Sequence, residues 1–166
     1  MPVSHVSIMT TKLAFLLIGL WWGSTALIDF IVVPTIFSVI NDFFNAGELG
    51  MTLFKKLNFL ELFFAISILV LEWRSRRKVL LLALFSVAAI VIFYFTYLTP
   101  KIGQLSSWWK EAEAQGLLGI HGISDIQQEH QFFHRFYVSL DACKFLILSA
   151  VLGFKIIEQK STPKNA

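Results

Sequence analysis

Four ionisable residues stand inside apolar stretches of this chain: Asp29, Glu61, Asp141 and Lys144. A charge at the centre of a bilayer costs about 2.5–3.5 kcal/mol on insertion scales, so such residues face a bundle interior or a cavity. At 1.5 Å per helical residue, Asp29 lies about 25 Å above Lys12 and Glu61 about 18 Å above Trp73. Asp141 and Lys144 lie about 21 and 16 Å above Lys155 on the same scale. All four therefore fall in one layer, from mid-membrane to the outer side. Three carboxylates there face one ammonium, a net −2 if all are ionised. Unpaired buried charge is costly enough that such a layer protonates a carboxyl group or binds a cation. The plainer reading is that Lys144 pairs with Asp141 or Asp29 and simply holds helices together.

The last apolar stretch extends this pattern. His130, His134, Tyr137, Asp141 and Lys144 recur at helical spacing within an arc of about 80°. They form one polar stripe that stops at Leu148 and Leu152. Trp22, Thr25 and Asp29 share a face in the same way. Together these residues outline a polar pocket open to the outside and closed by apolar packing below. Glu72 and Lys12 sit at interfaces, where charge needs no special reading.

His130 and His134 are spaced i,i+4, which can hold a metal, with Glu129 as an oxygen donor. No HExxH motif accompanies them, and His121 is the only other nearby His. Two axial haem ligands would have to come from facing helices, and no second apolar helix carries a His. Three Met and one Cys are too few for a copper-handling segment. The single Cys excludes a disulfide framework and a CxxC pair. No GxSxG, Walker or GxGxxG loop is present, so the chain is read as a non-enzyme without a resident cofactor, metal or haem being the alternative.

These side chains must be positioned by membrane helices. Of 166 residues, 56% are hydrophobic and only 15% charged, against about 25% charged in an average soluble domain. A net charge of +3 is too small to suggest nucleic-acid binding. The apolar stretches predict an all-α, up-down, four-helix integral membrane bundle with helices over about 12–42, 52–73, 78–98 and 125–157. Residues 1–158 form one domain and 159–166 a loose cytoplasmic tail. The first stretch is too long for a cleaved signal peptide, and Pro34 within it predicts a kink near Asp29–Phe30. Pro100 is expected to stop helix three. Ser106–Glu113, with its paired Trp residues, is expected to form a short interfacial helix ending near Gly116. The glycines of Gly47–Gly50 and Gly116–Gly122 read as turn residues. Ser124 is expected to cap helix four. Helices one and four are the long ones, and helix four projects beyond the membrane on the outer side.

Arg74, Arg76, Arg77 and Lys78 mark the connection between helices two and three as cytoplasmic. Both termini then lie inside, consistent with Lys12, Lys155, Lys160 and Lys164.

The order Val33-Pro34-Thr35-Ile36-Phe37, Asn45-Ala46-Gly47, Thr99-Pro100-Lys101-Ile102, Phe133-His134 and Tyr137–Asp141 resembles the transmembrane-protein-205-like family, of the domain of unknown function 4149 type. The resemblance covers about residues 13–157. It marks Pro34, Phe37, Pro100, Lys101 and His134, and it implies a four-helix bacterial membrane protein with no established activity. The chain departs from the family in the last helix, where Asp141 and Lys144 stand in a region in which the family tends to have a small polar residue.

The resulting expectation is a multi-pass bacterial inner-membrane protein whose outward-facing pocket binds or relays protons, cations or a small solute. The alternatives are a haem- or metal-binding protein using His130 and His134, and an accessory subunit of a larger complex. The lipid bilayer is one partner. The small size of the unit points to a homo-oligomer or a membrane-protein partner.

Overall fold

In a computed structural model, residues 5–73, 77–117 and 121–161 are described, with side chains over 9–73, 77–117 and 124–158. Of the described residues 94% are helical, and none lies in a strand. Four long helices account for the fold. Helix α1 runs over His5–Leu27, passes through a π turn at Ile28–Val32 and continues as Val33–Val39. Helix α2 spans Phe43–Glu72. Helix α3 runs over Lys78–Phe93, a π turn at Tyr94–Leu98, and Thr99–Ala114. Helix α4 spans His121–Ser161.

Each helix packs antiparallel on its sequence neighbour, and α4 closes the bundle against α1. Helices α2 and α4 stand diagonally opposite and run parallel, as do α1 and α3. Short connections allow only this arrangement of neighbours.

The two π turns share a cause. Pro34 and Pro100 have no N–H, and the ring of each clashes with the carbonyl four residues earlier. In each helix the residue before the proline donates five residues back instead of four: Val33 N–H to the Ile28 carbonyl, and Thr99 N–H to the Tyr94 carbonyl. The wider turn absorbs the clash without ending the helix. The expected disturbance near Asp29–Phe30 therefore takes the form of a π turn. The expected stop at Pro100 does not occur, and Ser106–Glu113 is the last part of α3 rather than a separate helix.

The other boundaries also move. Helix α1 starts at His5 and ends at Val39, not at about 12 and 42. Helix α2 starts at Phe43, not 52, because the Asp42 carboxylate accepts from the Phe44 and Asn45 N–H groups and caps it. Gly47 and Gly50 accordingly lie inside α2. Gly50 is buried beside Phe37. Gly116 does end α3: its φ is +68°, and Leu117 N–H donates to the Ala112 carbonyl at 3.0 Å. Helix α4 already begins at His121, so Ser124 falls inside its first turn and is not its cap. It continues to Ser161, because no breaker precedes Pro163, and the first residues of the expected loose tail are helical. Residues 118–120 and 162–166 lie outside the described part.

The polarity of the bundle is inverted. Phe30, Ile66, Val70, Leu82, Leu146 and Ile157 are exposed on its outside. Thr25, Asn58, Glu61, Glu72, Thr99, Asp141, Lys144 and Lys155 are buried within it. Met9–Val39 and Lys78–Ala114 are long and apolar enough to cross a membrane. Only 17% and 33% of their apolar windows are buried, whereas the core helix of a soluble protein would be mostly covered.

Along its axis the bundle is layered. At one end the Lys155 ammonium binds the Glu72 carboxylate at 2.5 Å, and Arg77 binds Glu158 at 2.8 Å. An apolar core follows, built around Ile18, Ile68, Leu84, Val87, Val91 and Leu148. Above it lies a charged layer, then an aromatic cluster around Tyr94 and Tyr137. Lys101–Glu129 and Lys110–Glu48 ion pairs join the far ends of α3, α4 and α2.

Candidate functional site

The charged layer forms where helix α1, at its π turn, and the long helices α2 and α4 converge. Lys144, on α4, is fully buried and lies 2.6 Å from Glu61 Oε1 on α2 and 2.5 Å from Asp141 Oδ1 one turn earlier. Glu61 Oε1 also accepts from Trp21 Nε1 at 3.0 Å and from Thr25 Oγ1 at 3.1 Å. Glu61 Oε2 is buried without a hydrogen-bond partner among the described residues. The Lys144 ammonium sits 5.4 Å from the centre of the Tyr94 ring, a cation–π distance. Asp29, in the α1 π turn, lines the same cavity as Asp141. Among the described residues Asp29 makes no salt bridge, so one ammonium pairs directly with two of the three carboxylates.

A chain of polar contacts continues upward. Tyr94 Oη donates to the Tyr137 carbonyl at 3.2 Å, and Tyr137 Oη donates to Asn58 Oδ1 at 3.2 Å. Asn58 Nδ2 donates to Thr99 Oγ1 at 2.8 Å. The two tyrosine rings stack at 4.3 Å. The two tyrosine hydroxyls and the Asn58 amide thus each donate to an acceptor inside the bundle.

Beside it opens a cavity of about 810 Å³. Asp29 and Asp141 lie on its wall deep in the bundle. Phe37, Phe43, Phe44, Phe54, Trp109 and Phe145 supply rings to its sides, and His130, His134 and Arg135 line it toward the start of α4. Lys144 does not line it. Leu148, next on the stripe, is fully buried, and the cavity does not extend that far.

The structure thus brings Asp29, Glu61, Tyr137, Asp141 and Lys144 into one region. Of the motif residues, Phe37 and His134 line the cavity, Pro34 and Pro100 follow the two π turns, and Lys101 is held by Glu129 at 2.9 Å. His130 and His134 stack with ring centroids 6.2 Å apart. Partial desolvation beside the cavity lowers the pKa of both imidazoles below the ordinary range, although His134 is exposed and His130 half-buried, and repulsion from His134 lowers that of His130 further. Among the described residues no group of three His, Cys, Asp or Glu could hold a metal. Glu129, the expected oxygen donor, is engaged by Lys101, and the His121 side chain lies outside the described residues.

Sequence reasoning missed several participants. Trp21, not Trp22, reaches Glu61; Trp22 Nε1 donates to Ser149 Oγ at 2.8 Å. Asn58 and Tyr94 read only as helix content, and Thr99 only as part of the motif that follows helix three. Glu72 was assigned to an interface, yet it is buried in an ion pair with Lys155. A signal for that pair exists: Glu61 and Glu72 are eleven residues apart, and so are Lys144 and Lys155. Eleven residues bring a helix back to the same face.

The sequence profile of a family described as Domain of unknown function (DUF4149) matches residues 16–107. That span carries Asp29, Glu61, both prolines and most of α3, but not α4 with Asp141 and Lys144. No curated protein and no solved structure matches the chain.

Proposed function

The chain belongs to this domain-of-unknown-function family, and on that premise we propose that it is a multi-pass membrane protein whose Asp29–Asp141 cavity binds a small solute in exchange for a proton. The observation that carries the reading is Asp29 itself. It forms no salt bridge among the described residues, and it shares its cavity wall with Asp141, whose carboxylate already shares Lys144 with Glu61. Where two carboxyl groups share one wall of a low-dielectric interior, repulsion between two anions favours holding one proton between them. The site releases the proton when something else relieves the repulsion.

The apolar outer faces of all four helices support four membrane spans. The basic run Arg74–Lys78 supports a cytoplasmic α2–α3 connection, with both termini inside and the cavity opening outward in a bacterial inner membrane. Four helices are few for alternating access, which favours a homo-oligomer or a partner membrane protein as the working unit.

Infrared difference spectroscopy across a pH change tests the proton. The purified protein should show a protonated-carboxyl band that disappears on raising the pH. Asp29→Asn should remove it while helical content and thermal midpoint are kept. A wild-type protein with no such band, or a band unaffected by both Asp29→Asn and Asp141→Asn, overturns the reading.

A further inference from the structure

The cavity combines two features that rarely occur together: a largely apolar wall carrying six Phe, a Trp and a Tyr, and an acid at its end. We infer that its solute is a lipophilic organic monocation, with its charged centre against Asp29 and its apolar body among the rings. This inference rests on the proton-exchange reading and names the solute that takes the place of the proton.

Size, charge and hydration each narrow the choice. A volume of about 810 Å³ lies within the roughly 300–1,000 Å³ typical of sites for drug-sized ligands. It is far larger than a bare metal ion needs. Divalent Ca²⁺ or Mg²⁺ takes about six or more oxygen ligands, and this cavity offers two carboxyl groups and a few scattered polar atoms. It cannot replace a tightly held hydration shell. An organic cation with its charge spread over a bulky apolar frame sheds water readily and gains from ring faces, as quaternary ammonium ligands do in aromatic cages. Phe37, Phe43, Phe44, Phe54 and Phe145 supply such rings from α1, α2 and α4.

The sign of the charge follows from the deep wall. Asp29 and Asp141 are the charged groups there, and Lys144, outside the wall, is held by Glu61 and Asp141. Arg135 lies exposed near the start of α4. The groups acting on Asp29 are Asp141 and Lys144 from α4, Glu61 from α2 and Tyr94 from α3. One cation entering and one proton leaving keeps the charge of the layer unchanged. Binding should therefore tighten as pH rises, by up to about tenfold per pH unit for one proton released.

Equilibrium binding of tetraphenylphosphonium to the purified full-length protein tests the inference, with tetraphenylborate as an anion of the same shape. Saturable binding of the cation at one site is expected, tightening with pH, with the anion at least about tenfold weaker. Asp29→Asn should weaken cation binding at least tenfold and flatten its pH dependence. Gly47→Phe blocks the cavity from α2 without touching the acids and should abolish binding in a protein with unchanged helical content. Equal binding of cation and anion, or cation binding untouched by both variants, overturns the inference. If the cation fails to bind while the carboxyl band persists, this inference falls and the proton reading stands. A cation bound at one site with no carboxyl band removes the proton reading alone.

Discussion

The Lys144 ammonium lies 2.6 Å from the Glu61 carboxylate, both side chains fully buried, on two helices that face each other across the bundle diagonal. No backbone contact joins α2 and α4, so long side chains span the gap. Eleven residues further on, Lys155 meets Glu72 in the same way. The two pairs fix the register of the parallel diagonal helices at points about 16 Å apart. Removing one partner leaves an uncompensated buried charge. Lys144→Met should therefore destabilise the protein by about 3–5 kcal/mol, whereas Lys144→Met with Glu61→Met should recover most of the loss. Thermal unfolding in detergent measures both, and equal destabilisation in the single and double variants would contradict the pairing.

Gly47 lies inside α2 on the cavity wall, and nothing stands within 4 Å of where its Cβ would be. Glycine in a helix interior costs about 1 kcal/mol relative to alanine. Gly47→Ala should raise stability by about that amount, read as a higher unfolding midpoint. A lower midpoint would show that the space is occupied.

The histidine pair gives a pH dependence of stability. Partial desolvation lowers the pKa of both imidazoles in the folded chain. Below an unfolded pKa of about 6.5 the unfolded chain binds more protons. Their contribution is therefore complete above that pH, declines as pH falls through it, and levels off below the folded values. Unfolding midpoints between pH 8 and pH 5 should fall, and His130→Gln with His134→Gln should flatten the decline. An unchanged slope in that double variant would assign the pH dependence elsewhere.

Orientation is testable with thiols. Cys143 is exposed and must first be replaced by Ala. In that background a membrane-impermeant maleimide should label Ala114→Cys on intact cells, and Ser75→Cys only after permeabilisation. The reverse pattern would invert the proposed topology.

Much of this molecule was legible in its sequence. Apolar stretches punctuated by prolines and a basic connection announced helices of membrane length, because hydrophobicity and helical period are local properties. The stripe from His130 to Lys144 was visible for the same reason, since a helix turns by a fixed angle per residue. What a proline does was not local. Pro100 read as a stop, yet packing against α2 and α4 kept α3 whole through a π turn that buries Tyr94 over Lys144. Nor could the sequence say that Trp21 rather than Trp22 reaches Glu61, since neighbouring residues on a helix differ by about 100° and only the facing helix selects between them. The sequence by itself determined that four charged residues would share one layer of a helical bundle. The tertiary structure alone decided which pair, spanning the diagonal from Glu61 to Lys144, and left Asp29 sharing a cavity wall with a second acid. Depth along a helix is set by counting residues, but partnership depends on how four helices rotate and settle against one another.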